Sequence, residues 1–448
     1  MELLKNINVN FYNIKPEDVH SILNKYMLVD GFDFVLDLNK SKGSYLIDAR
    51  TGKKYIDFFS FFASVPLGLN HPEFLKEETI NYLGKIAINK PSNSDVYTTE
   101  MASFVKTLFE IAVPNYFKYV FFISGGALAV ENALKTAFDW KIRQNFRKGY
   151  QSEKGTKIIH FKEAFHGRSG YTMSLTNTDP NKVKFFPKFD WPRIINPKLK
   201  FPLTSENIEN TIKTEEIAIS QIKQVLIDNK DDIAAIIIEP IQGEGGDNHF
   251  RSEFLKKLRE IADENNILLI FDEIQTGVGI TGTWWAHQQL DVKPDLMCFG
   301  KKMQVCGILV TDRIDTEPEN VFKVSSRINS TWGGSLIDMV RSRIYLEIIE
   351  SEKILENVRE LGLFLNNKLN EVVLKYPEIL ENPRNKGLFG AIDFKEKAKR
   401  KEFLKKCFDN GLFILPCGEK SIRFRPVLDI KKEVLEEGFY IFENCLIN

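Results

Sequence analysis

Two apolar runs that end in charged side chains most constrain the fold of this 448-residue chain. Residues 267–271 read ILLIF and are followed by Asp272, and residues 296–299 read LMCF and are followed, after one glycine, by Lys301 and Lys302. Short, branched apolar runs of this kind predict strands buried on both faces of a parallel sheet. Ligands of α/β proteins bind at the carboxyl edge of such a sheet, so we expect the acid and the lysines to meet there.

Strand and helix patterns alternate between about residue 100 and residue 300. This alternation predicts an α/β fold in which a mostly parallel sheet is flanked by helices. The predicted strands are 117–123, 157–161, 233–238, 267–272 and 296–300, and the predicted helices are 127–141 and 251–265.

The pattern changes after about residue 330, where longer amphipathic helices and a few short strands predict a smaller α+β domain. We therefore expect two domains, which is reasonable for a chain of this length. The predicted division is an N-terminal segment 1–60 that joins the small domain, a large domain 61–330 and a C-terminal small domain 331–448.

Composition excludes several function classes. Lys+Arg and Asp+Glu both number 61, so no overall charge attracts nucleic acid or an anionic membrane. No apolar run approaches the roughly 20 residues of a membrane span, and residues 1–13 lack the apolar core of a secretory signal. The five cysteines are scattered and the six histidines show no metal-ligand spacing, so we expect a cytoplasmic protein without a metal site.

An acid on one strand and a lysine on another are the groups that pyridoxal 5'-phosphate chemistry requires. The lysine binds the cofactor aldehyde as an imine, and Asp272 keeps the pyridine nitrogen protonated, while Gln275 is placed to reach the ring hydroxyl. Only a neutral lysine amine attacks an aldehyde, so either Lys301 or Lys302 needs a lowered pKa. The alternative is a solvated strand end and a solvent-facing lysine pair.

Two further loops follow predicted strands. The run SGGA at 124–127 opens a helix, and its glycines let backbone N–H groups approach a phosphate. The run FHGR places Phe165 to stack on a cofactor ring and Arg168 to bind a substrate carboxylate. Taken alone, each run is better explained as an ordinary loop, the first as a glycine turn and the second as a loop with a surface arginine.

In this order and spacing the motifs resemble the class III, fold-type-I PLP-dependent aminotransferases, and the resemblance covers nearly the whole chain. It includes FFSFFASVPLGLNHP at 58–72 and STWGGSLID at 330–338. In that family the catalytic lysine directly follows the small residue that ends its strand, which selects Lys301 over Lys302. The run KMQVCG at 302–307, in place of the usual glycine-rich run, resembles the branch that transfers the ε-amino group of L-lysine to 2-oxoglutarate.

The resemblance also implies roles for individual residues and a homodimer as the active unit. The implied cofactor residues are Gly126 and Ala127 at the phosphate, Phe165 on the ring, Asp272, Gln275 and Lys301 in the roles above, and Thr331, which reaches the phosphate of the partner subunit; the implied substrate residues are Arg168, Glu244 and Arg423. The open alternatives are an ω-aminotransferase with ornithine or 4-aminobutyrate as donor, a PLP-dependent epimerase, and a scaffold without activity.

Glu244 and Arg423 suggest how one site accepts two unlike substrates. Arg423 would be a costly lone charge beside the methylenes of lysine, and Glu244 offsets that charge by pairing with it. We therefore expect Glu244 to cover Arg423 for lysine and to move aside for 2-oxoglutarate. The glycines around Glu244, in the run QGEGGD, are expected to give the loop freedom to move.

Overall fold

A computed structural model of the chain describes residues 13–447. The first twelve residues of the predicted segment 1–60 lie outside the described residues, and so does nearly all of the stretch on which the prediction about a secretory signal rests.

The described residues form strands β1 to β16, in chain order Tyr45–Ile47, Lys54–Asp57, Phe117–Ile123, Lys157–Phe161, Arg193–Ile194, Ile233–Ile238, Ile241–Gln242, Asn248–His249, Leu268–Asp272, Leu296–Phe299, Cys306–Thr311, Leu380–Lys386, Phe389–Phe394, Leu412–Phe413, Leu415–Cys417 and Ser421–Phe424. They also form helices α1 to α13, in chain order Val19–Leu23, Ser60–Ala63, Pro72–Leu75, Glu77–Ala87, Thr99–Ile111, Gly126–Arg147, Thr172–Leu175, Ser205–Asp228, Ser252–Glu264, Leu336–Ser351, Ile354–Lys375, Lys397–Asp409 and Lys432–Ile447.

A seven-stranded sheet with the order β3-β11-β10-β9-β6-β4-β5 forms the centre of the molecule. Its strands are parallel except β11, which is antiparallel to both neighbours, so the prediction of a mostly parallel sheet is confirmed. The sequence pattern did not predict β11. Only six residues separate the end of β10 from the start of β11, which is too short for the crossover that a parallel neighbour needs.

Helices cover both faces of this sheet. Successive side chains of a strand point to opposite faces, so each strand contributes to two apolar clusters. On β9, Leu268 and Ile270 belong to the apolar cluster that includes α6. Leu269 and Phe271 belong to the cluster that includes α8 and α9. The strand is therefore buried on both sides, as its unbroken apolar run predicted.

A second, four-stranded antiparallel sheet has the order β12-β13-β16-β15. A third sheet has the order β1-β2-β14, in which the β1–β2 hairpin is antiparallel and β14 runs parallel to β2. The pairing of Lys54–Asp57 with Leu412–Phe413 ties the N-terminal part of the chain to its C-terminal part. Within residues 13–447, no helix is both long enough and apolar enough to cross a membrane.

The parallel strands β4, β6, β9 and β10 end at one edge of the central sheet. The residues that follow them are Phe165, Glu239, Asp272 at the end of β9, and Lys301. This edge holds the candidate site.

Candidate active site

The register of β9 and β10 brings Asp272 and Lys301 into one site. Asp272 is paired with Cys298, so Lys301 follows β10 just beyond the level of the carboxylate. Gly300 allows Lys301 to pack closely, because a Cβ on Gly300 would lie 2.8 Å from the sulfur of Cys306. Both Asp272 and Lys301 line a cavity of about 620 Å³, together with Gly126, Ala127, Phe165, Arg168 and Gln275.

Lys301 has the electrostatic setting that a reactive amine needs. Burial in the site lowers its pKa to about 7, and the positive charges of Arg423 and Arg425 act in the same direction. At neutral pH a large fraction of Lys301 is therefore the neutral amine, which is the form that attacks an aldehyde.

Lys302 is also buried, so the alternative of a solvent-facing lysine pair is wrong. Its side chain is turned away from the cavity, and its Nζ donates hydrogen bonds to the carbonyls of Ala63 at 3.2 Å and Gln275 at 3.0 Å. Burial first, and Lys301 second, lower its pKa well below the ordinary value. Lys302 links the end of β10 to α2, Ser60–Ala63, which is a single left-handed turn because every residue in it has a positive φ.

The N-terminus of α6 lies at the predicted phosphate site and could hold an anion. The helix begins at Gly126 after Gly125, which has a φ of +103°. The first N–H groups of a helix have no partner within the helix and point toward an anion at its end. Gly167 packs against this turn so closely that a Cβ there would lie 2.5 Å from the Cβ of Ala127.

Asp272 is held by a buried histidine. His166 Nδ1 lies 2.8 Å from one carboxylate oxygen, and the backbone N–H of Ile274 donates to the other at 3.1 Å. Burial alone would lower the pKa of His166, but the hydrogen bond and the negative charge of Asp272 raise it above its ordinary value. The hydrogen bond thus favours a protonated His166 beside Asp272, the carboxylate that the sequence analysis placed at a pyridine nitrogen.

Glu239 is a further acid at this edge that the sequence analysis did not select. Its carboxylate accepts hydrogen bonds from the backbone N–H groups of Phe165 and Gly243, both at 3.0 Å. Burial raises its pKa to about 7. Glu239 thus fixes the loop that presents Phe165 to the cavity.

The side chain of Gln275 is oriented by Arg425. Its Oε1 accepts from Nε and Nη2 of Arg425, both at 3.1 Å, so this contact does not use its amide hydrogens. Arg425 is itself buried and paired with buried Asp247, and its guanidinium lies over the ring of Phe389 at 3.3 Å from the centroid. The sequence offered one signal for Arg425, since the run IRFRP places it on the same strand face as Arg423.

Glu244 and Arg423 form the predicted ion pair, with Arg423 Nη1 donating to Glu244 Oε2 at 2.7 Å. Glu244 also has a second cationic partner that the sequence did not reveal. Lys182 Nζ donates to Glu244 Oε1 at 2.6 Å. Burial alone would raise the pKa of Glu244, but Arg423 and Lys182 lower it below its ordinary value.

The loop around Glu244 is closely packed rather than open. A Cβ on Gly243 would lie 2.5 Å from the side-chain amide of Gln275, and one on Gly245 would lie 2.0 Å from the carbonyl of Glu163. Only Gly246 of the three glycines in this loop has a positive φ, of +126°. Close approach therefore explains the glycines at 243 and 245 more directly than freedom of movement does.

Four predicted residues lie away from the centre of the cavity, and two of them, Glu244 and Arg423, do not line it. Arg168 is exposed at its rim. Thr331 does not line it and is exposed, in a turn where the hydroxyl of Ser92 donates to the Thr331 carbonyl. Thr331 therefore makes no direct contribution to the lining of this chain's own cavity.

The described residues fit pyridoxal 5'-phosphate. The N-terminus of α6 suits its phosphate, the buried Asp272 suits its ring nitrogen, and the amine of Lys301 suits its aldehyde. Arg423 adds a site for an anion, because its Nε is buried without a hydrogen-bond partner among the described residues. Within residues 13–447, no cluster of three or more His, Cys, Asp or Glu is arranged to bind a metal ion.

Known proteins resemble this chain over almost its whole length. A family described as Aminotransferase class-III matches residues 26–446. The L-lysine-epsilon aminotransferase of Mycobacterium tuberculosis (strain ATCC 25618 / H37Rv) is 48% identical over 432 residues, which is 96% of both chains. That of Streptomyces clavuligerus is 45% identical, over 95% of this chain and 93% of the relative. A solved structure of lysine aminotransferase from M. tuberculosis has a TM-score of 0.95 and 46% identity, covering 97% of this chain and 99% of that one.

Proposed function

The chain belongs to the class III aminotransferases, and we propose that it transfers the ε-amino group of L-lysine to 2-oxoglutarate. The products are 2-aminoadipate 6-semialdehyde and glutamate, formed in two half-reactions of a ping-pong sequence. The observation that most supports this proposal is the meeting of Lys301 and Asp272 in one cavity, next to the ion pair of Glu244 and Arg423.

The cofactor of this family is pyridoxal 5'-phosphate, which supplies an aldehyde that takes up an amino group and a protonated ring that withdraws electrons. Gly126 and Ala127 hold its phosphate through their backbone N–H groups at the start of α6. Phe165 would cover one face of the ring, Asp272 would pair with the ring nitrogen, and the amide of Gln275 would bind the ring hydroxyl; all three residues line the cavity.

Lys301 acts as the base. Because its pKa is about 7, a large fraction of the free amine is unprotonated at neutral pH and can take a proton from the Cε of lysine. The proton is then held on Nζ.

Arg168 binds the carboxylate that both substrates carry at the end remote from the reacting atom. It lies at the rim of the cavity, where the α-carboxylate of lysine and the distal carboxylate of 2-oxoglutarate both arrive. A guanidinium binds a carboxylate with two parallel hydrogen bonds, which fixes the orientation of the substrate.

Only 2-oxoglutarate has a second carboxylate, next to its reacting carbonyl, and Arg423 is the cation that binds it. For lysine, Glu244 neutralises Arg423 through the 2.7 Å ion pair, so the methylenes of lysine do not meet an unpaired buried charge. For 2-oxoglutarate, Glu244 moves aside. Glu244→Ala should then impair the lysine half-reaction selectively and Arg423→Ala the 2-oxoglutarate half-reaction, and equal damage to both half-reactions in both variants would exclude this switch.

The active unit is a homodimer in which Thr331 reaches the phosphate bound by the partner subunit. The exposed position of Thr331, away from this chain's own cavity, supports this assignment. The free cysteines, five among the described residues, support a cytoplasmic setting.

A mixed dimer of Lys301→Ala and Thr331→Ala chains tests the assignment of Thr331. If Thr331 acts across the interface, both lesions fall on one site and the other site keeps its activity. A mixed dimer whose two sites are each damaged once would show that Thr331 acts within its own chain.

The donor atom is identified by isotope transfer. Enzyme incubated with 2-oxoglutarate and L-lysine labelled with ¹⁵N at the ε position should produce ¹⁵N-glutamate, and α-labelled lysine should produce unlabelled glutamate. The matched arms replace lysine by ornithine or 4-aminobutyrate. Faster transfer from either of these donors, or ¹⁵N-glutamate from the α-labelled lysine, would contradict the proposal.

The same incubation separates transamination from epimerisation. An epimerase would form D-lysine without a keto acid, whereas the proposed reaction stops after one turnover when 2-oxoglutarate is left out. Absence of visible cofactor absorbance in the purified protein would instead support a scaffold without activity.

A further inference from the structure

Glu244 has two cationic partners, one for each carboxylate oxygen. Arg423 Nη1 donates to Oε2 at 2.7 Å, and Lys182 Nζ donates to Oε1 at 2.6 Å. The proposed switch uses only the first contact. The second contact, with Lys182, has no role in that switch.

The two cations differ in burial. The side chain of Arg423 is 4% exposed, whereas those of Lys182 and Glu244 are 27% and 25% exposed. Lys182 and Glu244 both line a large cavity of about 1100 Å³ that opens to solvent, whereas Arg423 does not line it. Glu244 therefore lies at the boundary, with Arg423 on the buried side and Lys182 on the open side.

The position of Lys182 is fixed by its own loop. The turn Pro180–Lys182 is capped by Asp179, whose side chain accepts from the N–H of Asn181 at 2.9 Å. The N–H of Lys182 donates to the carbonyl of Asp179 at 3.1 Å. The ammonium lies 5.3 Å from the centroid of the Phe165 ring. The backbone of Lys182 is thus held by contacts that do not involve Glu244.

We infer that Lys182 is a specificity-determining residue that retains Glu244 when 2-oxoglutarate takes Arg423. A carboxylate that leaves Arg423 loses its buried partner, and its charge would be only partly hydrated at this depth. Because Oε1 already bonds to Lys182, Glu244 keeps a paired charge in both positions. Lys182 therefore lowers the free energy of the open form and makes the site competent for a second carboxylate. This inference rests on the proposed function, since it needs both substrates to use one site.

The test compares Lys182→Met with Lys182→Arg and with Lys184→Met. Methionine keeps the length of the side chain without its charge, and arginine keeps the charge. Lys184 is an exposed lysine on the same loop and serves as the matched control. Binding of glutarate to the holoenzyme is measured by titration calorimetry, because glutarate has both carboxylates of 2-oxoglutarate but no carbonyl to react. Single-turnover absorbance then gives the dissociation constant of lysine and of 2-oxoglutarate separately.

Lys182→Met should weaken the binding of glutarate and of 2-oxoglutarate by about threefold to fivefold, the size expected for a partly exposed ion pair. The binding of lysine should stay within about twofold of the wild-type value. Lys182→Arg should restore most of the loss, and Lys184→Met should change nothing. Unchanged glutarate binding in Lys182→Met, or an equal loss for lysine and glutarate, would overturn the inference. Failure of the wild-type enzyme to bind glutarate or to use lysine would instead contradict the proposed function itself.

Discussion

The buried ion pair of Asp247 and Arg425 should be a major determinant of stability. Both side chains are at most 1% exposed, and Arg425 Nη1 donates to Asp247 Oδ2 at 2.9 Å while Nη2 contacts Oδ1. Arg425 also donates to the carbonyls of Gly390 and Phe424 and to Gln275. Asp247→Ala would leave this guanidinium buried without a negative charge, and we expect it to cost about 3–5 kcal/mol in the free energy of unfolding.

The reasoning is tested by removing the second charge. In the double variant Asp247→Ala, Arg425→Met no buried charge is left unpaired, so we expect it to regain at least about half of the loss, even though Gln275 and Gly390 lose a donor. The single and double variants are compared by urea unfolding at one fixed protomer concentration, with cofactor present throughout. Asp247→Asn, which keeps the shape and one acceptor, should fall between wild type and Asp247→Ala.

Two outcomes would refute this account. A loss below about 1 kcal/mol in Asp247→Ala would show that the pair contributes no more than a surface pair. Additive losses in the double variant would show that the unpaired charge is not the source of the instability.

Three further outcomes are expected. Lys301→Ala should lose the covalently held cofactor that borohydride reduction traps, whereas Lys302→Ala should keep it and unfold at lower urea, since Lys302 binds two buried carbonyls. Covalent capture of cofactor by cofactor-free enzyme should accelerate as the pH rises through about 7 and then level off, because the pKa of Lys301 is about 7 and only its neutral form attacks; a rate that falls with rising pH would contradict this. His166→Phe should weaken cofactor binding by roughly 10-fold to 100-fold, measured by equilibrium dialysis, because Asp272 loses the hydrogen bond from a buried partner.

The agreement between sequence and structure is best where a strand is buried on both faces. The run at 267–271 is apolar at every position, with no alternation of apolar and polar residues. The structure places it as β9 in the middle of the sheet, with helices on both sides. Such a run has few other ways to bury its side chains. In contrast, β11 was missed because its apolar pattern is short and its antiparallel direction follows from the length of the preceding loop.

The positions of the glycine turn at 124–127, of Asp272 and of Lys301, each after a predicted strand, also determined which residues meet in the cavity. Asp272 and Lys301 follow neighbouring parallel strands, and the start of α6 follows a strand of the same sheet. The carboxyl ends of parallel strands share one edge, so these residues converge whatever the details of packing. The sequence alone could not decide between the two lysines, and the resemblance to a family was needed to choose.

Only the tertiary structure decided which charges are partners, because these contacts join residues far apart in the chain. Glu244 is held by Lys182 as well as Arg423, Gln275 is oriented by Arg425, and Asp272 is bonded to His166. Local pattern carries no information about such pairs, since their geometry depends on how separate loops pack over the sheet edge. The sequence thus determined the scaffold and the reacting groups, through burial and strand order. The folded structure determined their partners and hence their charge states, since both depend on distance and desolvation in space.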